Sequence, residues 1–354
     1  MKILFTGGGT LGPVTPLLAV AEAWKQHDPA VEFVWVGTPS GPERETIEKA
    51  GIRFLSLPVA RLTRYPSMEW VFLPVNLIRA VRGAWSILKF EKPDLIASAG
   101  GYTSVPVVIA ARIMRIPSWI HQSDVRPILS NKLMAPFATW ITVAFAETAS
   151  AFPKNKTSVV GNPVRSSLLT VDRETAMRRF ELDLTRQTVL IFGGGGGASW
   201  LNEMMAVIGV DLVKDVNVIH LTGKGKLSLK LIEMKGNYFA GEFLTDRMPS
   251  AYAAADLVIC RAGTGTISEL AALRKAAIII PLPNSPQEDN ARVLSDANAA
   301  LVLQQNATTP QELLEAIRVL VRDTSRCQHY SDQISHLLQT NVAGLIVDRL
   351  QKLI

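Results

Sequence analysis

Cysteine is nearly absent from these 354 residues: only Cys260 and Cys327 occur, and two thiols with no Cys-x-x-Cys pair exclude a disulfide framework and a thiolate zinc site. Histidine is scarce as well. His27, His121, His220, His329 and His336 show no ligand spacing, so no metal centre is expected. No apolar run approaches the ~18 residues of a membrane-crossing helix, which excludes a transmembrane span. Charged residues are few, 19% against 48% hydrophobic, and that balance excludes a disordered chain. Behind the opening Met-Lys-Ile-Leu-Phe-Thr stand glycines, where an export signal would carry its apolar core and cleavage site; a cytoplasmic protein is expected.

The charge that is present is lopsided. Residues 1–165 sum to +7 and residues 166–354 to −1 within a total of +6, so the first half is expected to meet something acidic. The densest stretch is 61–92, where Arg61, Arg64, Arg79, Arg82, Lys89 and Lys92 stand against Glu69 and Glu91, interleaved with Trp70, Phe72 and Trp85. It carries none of the usual nucleic-acid motifs, and basic, aromatic sequence with apolar filling suits an anionic membrane surface better than nucleic acid. A solvated basic helix with its aromatics in a core fits the same residues.

The length favours two domains. Short apolar runs at Ile3–Phe5, Phe33–Val36, Leu95–Ala97, Trp119–Ile120 and Ile141–Val143 read as wholly buried strands separated by helical segments. After Gly161-Asn162-Pro163 the pattern restarts at Val189–Phe192, Val218–Leu221, Leu257–Cys260 and Ile278–Ile280. The fold class expected is α/β: two doubly wound Rossmann-like domains, 1–162 and 163–354, facing each other across a cleft lined by the carboxyl ends of both sheets. An amphipathic helix over 341–353 closes the chain and can dock on either lobe, the N-terminal one included.

Each half opens with strand, glycine cluster and helix. Gly7-x-Gly9-x-x-Gly12 has the dinucleotide-binding spacing, but the second strand ends Val36-Gly37-Thr38 with no acid for a ribose, and Glu32 lies at its start, so a nicotinamide cofactor is disfavoured. What remains is an expectation common to Gly8, Gly9, Thr10 and Gly12 and to Gly193, Gly194, Gly195, Gly196 and Gly197: backbone N–H groups at a helix start cradling phosphate. A tight turn with no ligand is the plainer reading, although five successive glycines exceed what a turn needs. A third turn, Arg261-Ala262-Gly263-Thr264, leads into a helix carrying Glu269, whose carboxylate suits either the helix dipole or a ribose diol. Gln287 and Asn290, beyond Pro281-Leu282-Pro283, suit a sugar or a cap.

Thr6-Gly7-Gly8-Gly9-Thr10, Gly100-Gly101-Tyr102, Gly161-Asn162-Pro163-Val164-Arg165, Ala251-Tyr252-Ala253-Ala254-Ala255-Asp256, Arg261-Ala262-Gly263 with Ser268-Glu269-Leu270, and Pro281-Leu282-Pro283 resemble, in order and spacing, the MurG family of peptidoglycan glycosyltransferases. The resemblance runs from Met1 to about Asn298. It implies the GT-B fold and inverting transfer of N-acetylglucosamine from its UDP donor to a lipid-linked acceptor, lipid I to lipid II. It implies also that no cofactor or metal is needed, that the N-terminal domain takes the acceptor, with Gly100, Gly101 and Tyr102 among the residues that bind the acceptor or its phosphates, and that the C-terminal domain takes the donor. By the same resemblance Glu269 holds the ribose, Arg261 and Phe243 lie around the uracil, Gln287 contacts the sugar and Arg165 helps to hold the donor. The basic, aromatic stretch falls in the part resembling the family's membrane-associating surface, with Trp70, Phe72, Arg79, Arg82 and Trp85, which implies a peripheral protein on the inner face of the cell membrane.

The chain departs from that pattern where chemistry is expected. Pro13 stands where the family has a histidine, and a proline cannot move a proton. His121-Gln122-Ser123-Asp124 replaces His-Glu-Gln-Asn, and Gly195 and Gly196 replace serine and glutamine. The base is therefore sought on the loop after Trp119-Ile120, with Asp124 as the base and His121 as its orienting neighbour. A homologue that binds sugar nucleotide or lipid without turnover, and a transferase for a different lipid acceptor, are the alternatives.

Overall fold

In a computed structural model the protein divides into two compact units, residues 1–165 together with 341–354, and residues 166–340. The structure describes residues 1–9, 12–41, 43–59, 73–194, 196–234, 236–244, 247–339 and 341–354. The first unit runs β1 (Lys2–Thr6), α1 (Val14–His27), β2 (Glu32–Gly37), α2 (Glu43–Lys49), β3 (Arg53–Ser56), α3 (Leu73–Glu91), β4 (Leu95–Ser98), α4 (Ser104–Ile113), β5 (Ser118–Gln122), α5 (Leu129–Met134), β6 (Trp140–Val143) and β7 (Thr157–Val159). In the second follow α6 (Arg173–Arg179), β8 (Thr188–Phe192), α7 (Ser199–Leu212), β9 (Asn217–Leu221), α8 (Leu229–Ile232), β10 (Tyr238–Gly241), α9 (Met248–Ala254), β11 (Leu257–Cys260), α10 (Thr264–Leu273), β12 (Ala276–Ile279), α11 (Gln287–Asp296), β13 (Leu301–Val302), α12 (Pro310–Arg322) and α13 (Thr324–Leu337). The last helix, α14 (Val342–Gln351), belongs to the first unit.

Both sheets are parallel, in the orders β3-β2-β1-β4-β5-β6-β7 and β10-β9-β8-β11-β12-β13. Their central strands are apolar on both faces because helices cover both, as the buried runs of β1, β8 and β11 record. The strand order reverses between β1 and β4 in the first sheet and between β8 and β11 in the second. A crevice opens at such a point beyond the carboxyl ends, and there Gly7–Gly9 and Gly100–Gly101 follow the first pair while Gly193–Gly197 and Arg261–Gly263 follow the second.

Helix α14 lays Val342, Ile346, Val347 and Leu350 into one core with Val14, Leu17, Ala21 and Trp24 of α1. Spacings of three and four residues put these four on one helical face. Each is almost wholly buried, worth ~1.5–3 kcal/mol of transfer free energy apiece. At the other end of α1, Pro13 occupies the N-cap with φ −69°, a backbone geometry its ring already has.

Candidate active site

The loops at the first unit's crevice are packed backbone to backbone. A Cβ on Gly101 would lie 2.8 Å from both N and O of Gly8, and one on Gly9 would lie 3.0 Å from the Tyr102 ring. Gly9, Gly100 and Gly101 have φ of +88°, +108° and +100°, open to glycine and strained for other residues. Their amides turn inward. Gly7 N–H donates to Val36 O at 3.3 Å, Gly9 N–H to Glu43 Oε2 at 3.2 Å, Gly100 N–H to Ser98 Oγ at 3.0 Å and Gly101 N–H to Ser130 Oγ at 3.2 Å. These bonds commit the Gly9, Gly100 and Gly101 amides to protein oxygens. Gly8 N–H has no partner among the described residues, and Gly12 is exposed. Thr10 lies outside the described residues.

His121, at the end of β5, is fully buried. Its Nε2 is 2.9 Å from Asn162 Oδ1 and its Nδ1 2.8 Å from Thr142 Oγ1, which also accepts from Trp119 Nε1 at 2.8 Å. An amide oxygen only accepts, so Nε2 carries the proton and Nδ1 accepts from the Thr142 hydroxyl. Burial lowers the His121 pKa to about 4, against the opposing Asn162 bond. With both nitrogens committed to Thr142 and Asn162, His121 does not orient Asp124 through its ring; it is a neutral tie between β5, β6 and the 161–163 segment. That corrects its expected role.

Gln122 organises the loop instead. Its Nε2 donates to Asp124 O at 2.8 Å and to Arg126 O at 3.3 Å, while its Oε1 accepts from Ile128 N at 3.3 Å and from Asn131 Nδ2 at 2.8 Å. Those bonds need an amide, because a carboxylate cannot donate to the Asp124 and Arg126 carbonyls. Asp124 itself is half-buried.

The second unit's crevice is built otherwise. Gly197 N–H closes a turn on Gly194 O at 2.9 Å, and Lys226 Nζ reaches Gly196 O at 2.9 Å. The amides of Gly193, Gly194 and Gly196 have no partner among the described residues; Gly195 lies outside them. Helices α7 and α10 start at Ala198 and Gly263 with no side-chain cap. Open amides and a helix start are the ingredients of an anion site. On α10, Glu269 Oε2 accepts from the buried Tyr252 hydroxyl at 2.7 Å, which fixes the carboxylate beyond the loop. Thr264 Oγ1 and the Ala262 carbonyl accept from Asn290 Nδ2 at 3.3 and 3.0 Å.

Arg261 is buried, and its guanidinium donates to Ile280 O at 3.1 Å, Pro281 O at 3.2 Å and, at the other nitrogen, Gln305 Oε1 at 2.6 Å. It therefore braces the proline-rich loop, and burial lowers its pKa. Gln287 braces the same loop, its Oε1 accepting from Leu282 N at 3.0 Å. Phe243 is 54% exposed after β10. Arg165 is half-buried, with no partner for its Nε among the described residues. Glu43, Gln122 and Tyr252 are contributions that sequence reasoning did not assign; only the neighbouring motif at 251–256 hinted at the last.

Residues 188–344 match the model of the glycosyltransferase family 28 C-terminal domain, and residues 3–143 that of the N-terminal domain. The chain belongs to glycosyltransferase family 28. Among relatives of this family 28 chain, the UDP-N-acetylglucosamine–N-acetylmuramyl-(pentapeptide) pyrophosphoryl-undecaprenol N-acetylglucosamine transferase of Shouchella clausii is 35% identical, covering 99% of both chains. Its namesake in Clostridium perfringens is 36% identical, over 92% of this chain and 91% of its own. The crystal structure of Acinetobacter baumannii MurG superposes with a TM-score of 0.74 at 26% identity, over 99% of each chain. A UDP-GlcNAc 2-epimerase from Neisseria meningitidis superposes at 0.69 with 15% identity over 99% and 100%. The two-sheet GT-B architecture is thus shared with another chemistry, and the fold by itself does not choose between them. Among the described residues of this glycosyltransferase no group of three or more His, Cys, Asp or Glu could hold a metal ion.

Helix α3 carries the described part of the basic stretch. Val75, Ile78, Arg82, Trp85 and Lys89 fall at alternating three- and four-residue spacing, hence on one face, and all are exposed, as is Arg79. Exposed Leu129 and Leu133 of α5 add to the unit's apolar surface. Trp70 and Phe72 lie outside the described residues. No described helix is long and apolar enough to cross a membrane.

Proposed function

We propose that this glycosyltransferase moves N-acetylglucosamine from UDP-N-acetylglucosamine to a polyprenyl-diphosphate-linked muramyl acceptor, converting lipid I to lipid II, at the inner face of the cell membrane. The observation that carries the reading is identity of 35% along 99% of a relative named for that transfer. The donor side supports it. Open amides at Gly193, Gly194 and Gly196 suit the leaving diphosphate, whose charge grows as the anomeric carbon opens. The Glu269 carboxylate, held by Tyr252, has lone pairs for the ribose hydroxyls, with Phe243 exposed for a base.

On the acceptor side Asp124 takes the proton of the attacking hydroxyl, late in an inverting displacement. The loop set by Gln122 presents it. No metal ion enters the scheme, because the charge that develops on UDP meets amides and helix starts. The exposed face of α3 brings the acceptor unit to anionic lipid: its side chains bury apolar surface while the cations stay at the headgroups.

Incubation of the purified protein with UDP-N-acetylglucosamine and lipid I, followed by mass spectrometry, is expected to yield lipid II and UDP. Donor binding by calorimetry with no product would replace the transferase by a binding homologue.

A further inference from the structure

Glu43 is a charged residue with no exposure at all, beside the loop that opens the first unit. Its Oε1 accepts from the Thr38 amide at 2.8 Å and from the Thr38 hydroxyl, and its Oε2 accepts from Gly9 N–H at 3.2 Å. Among the described residues no cation pairs with it. Burying a carboxylate is costly unless donors surround it, and here three donors meet its two oxygens. Space for it is made from three places in the chain. A Cβ on Gly8 would lie 2.3 Å from Oε1, one on Gly41 2.0 Å from Oε2, and one on Gly37 3.2 Å from Oε1.

The carboxylate joins the end of β2, the first turn of α2 and the glycine loop. It sits on the protein side of that loop and draws the Gly9 amide inward, at a residue whose φ of +88° leaves the peptide free to turn either way. We infer that Glu43 is a positioning residue for the acceptor half of the reaction: an internal anion that fixes the 7–9 loop against Gly101 and Tyr102, so that the crevice has one shape when the acceptor arrives. This rests on the transferase reading above.

Glu43→Gln separates this role from bulk stability. The amide keeps the size, but its NH2 must face either Thr38 N–H or Gly9 N–H, and neither can accept. Steady-state kinetics are expected to show KM for the lipid-linked acceptor rising at least ~10-fold, with KM for UDP-N-acetylglucosamine and calorimetric UDP affinity unchanged. Deuterium exchange of a peptide spanning residues 5–12 should become faster. A kcat that falls with both KM values unchanged means only a smaller folded fraction and overturns the inference, as does a wild-type acceptor KM. If Glu43→Gln does not fold, Thr38→Val and Thr38→Ser carry the test: acceptor KM should rise ~3-fold in the first and stay at the wild-type value in the second, and equal KM values in both overturn it. A wild-type protein inert toward lipid I fails the transferase reading instead, and is told apart by the exchange difference, which does not depend on turnover.

Discussion

In the first unit the amides of Gly7, Gly9, Gly100 and Gly101 are bonded to Val36, Glu43, Ser98 and Ser130, whereas in the second those of Gly193, Gly194 and Gly196 have no partner among the described residues. Both clusters follow the strand at which the sheet order reverses, and both read alike as sequence. The difference lies in what stands behind them: a buried carboxylate and two serines in one case, a turn closed on its own carbonyl in the other. A glycine cluster therefore states how closely backbones can approach. Whether its amides stay open is decided by residues near and far in sequence, Ser98 two positions from Gly100 and Glu43 34 positions from Gly9.

That contrast is broken most severely by Asp124→Asn, which keeps the side-chain shape and removes basicity. Turnover should fall by ~10²–10⁴-fold while UDP affinity in the other unit stays intact; normal turnover would send the base elsewhere. Next comes the pH dependence of folding, since each unit buries one neutral histidine between an asparagine oxygen and a hydroxyl, His121 as described and His220 between Asn202 and Tyr238. Burial lowers both to about 4, below the ~6.5 of an unfolded histidine. The unfolded chain thus binds more protons between those values. Stability is full above pH ~6.5 and is lost as pH falls toward 4, by up to a few kcal/mol per group. Melting temperatures that stay level from pH 7 to 4.5, or a slope that His121→Gln leaves unchanged, would contradict this.

Alanine at two glycines sharpens the comparison directly. Gly101→Ala meets the Gly8 backbone at 2.8 Å, whereas Gly194→Ala, at φ +82°, meets nothing within 4 Å. Denaturant unfolding should show ~2–4 kcal/mol lost for the first and ~1 kcal/mol for the second, and equal losses would mean that the two loops are packed alike. Glu269→Ala should cost ~1.5–3 kcal/mol of UDP affinity by calorimetry, and Tyr252→Phe ~1 kcal/mol through a less fixed carboxylate. The last comparison is at the lipid surface. Arg79→Glu with Arg82→Glu should reduce retention on phosphatidylglycerol liposomes by ~1 kcal/mol per lost cation, less as salt rises; equal retention leaves α3 a solvated face.

The interior strands were legible because each carries a run of mostly apolar, buried residues. The four edge strands β3, β7, β10 and β13 were not, since each is half-solvated; the first three mix polar residues such as Arg53, Ser158 and Tyr238 into a short span, and β13 is only two residues long. At the site, Glu269 stood out from its place behind a glycine turn, whereas its partner Tyr252 lies 17 residues away on another helix. Arg261 matched its motif, yet one terminal guanidinium nitrogen serves the Ile280 and Pro281 carbonyls and the other the Gln305 side chain beyond β13, a use that spacing does not encode. Glu43 is 34 residues from Gly9, and such a bond exists only once β1 and β2 have paired.

The return of α14 sets a timetable for synthesis. Residues 166–340 can complete their unit as they emerge, but the core that holds Val14, Leu17, Ala21 and Trp24 of α1 is completed by Val342, Ile346, Val347 and Leu350. At ~5–20 residues per second the ribosome takes roughly 10–35 s to cross the intervening segment. For that interval the first unit's core lacks these four side chains, and a nascent chain stalled short of residue 342 would offer the apolar surface they cover to chaperones or to its neighbours on the polysome.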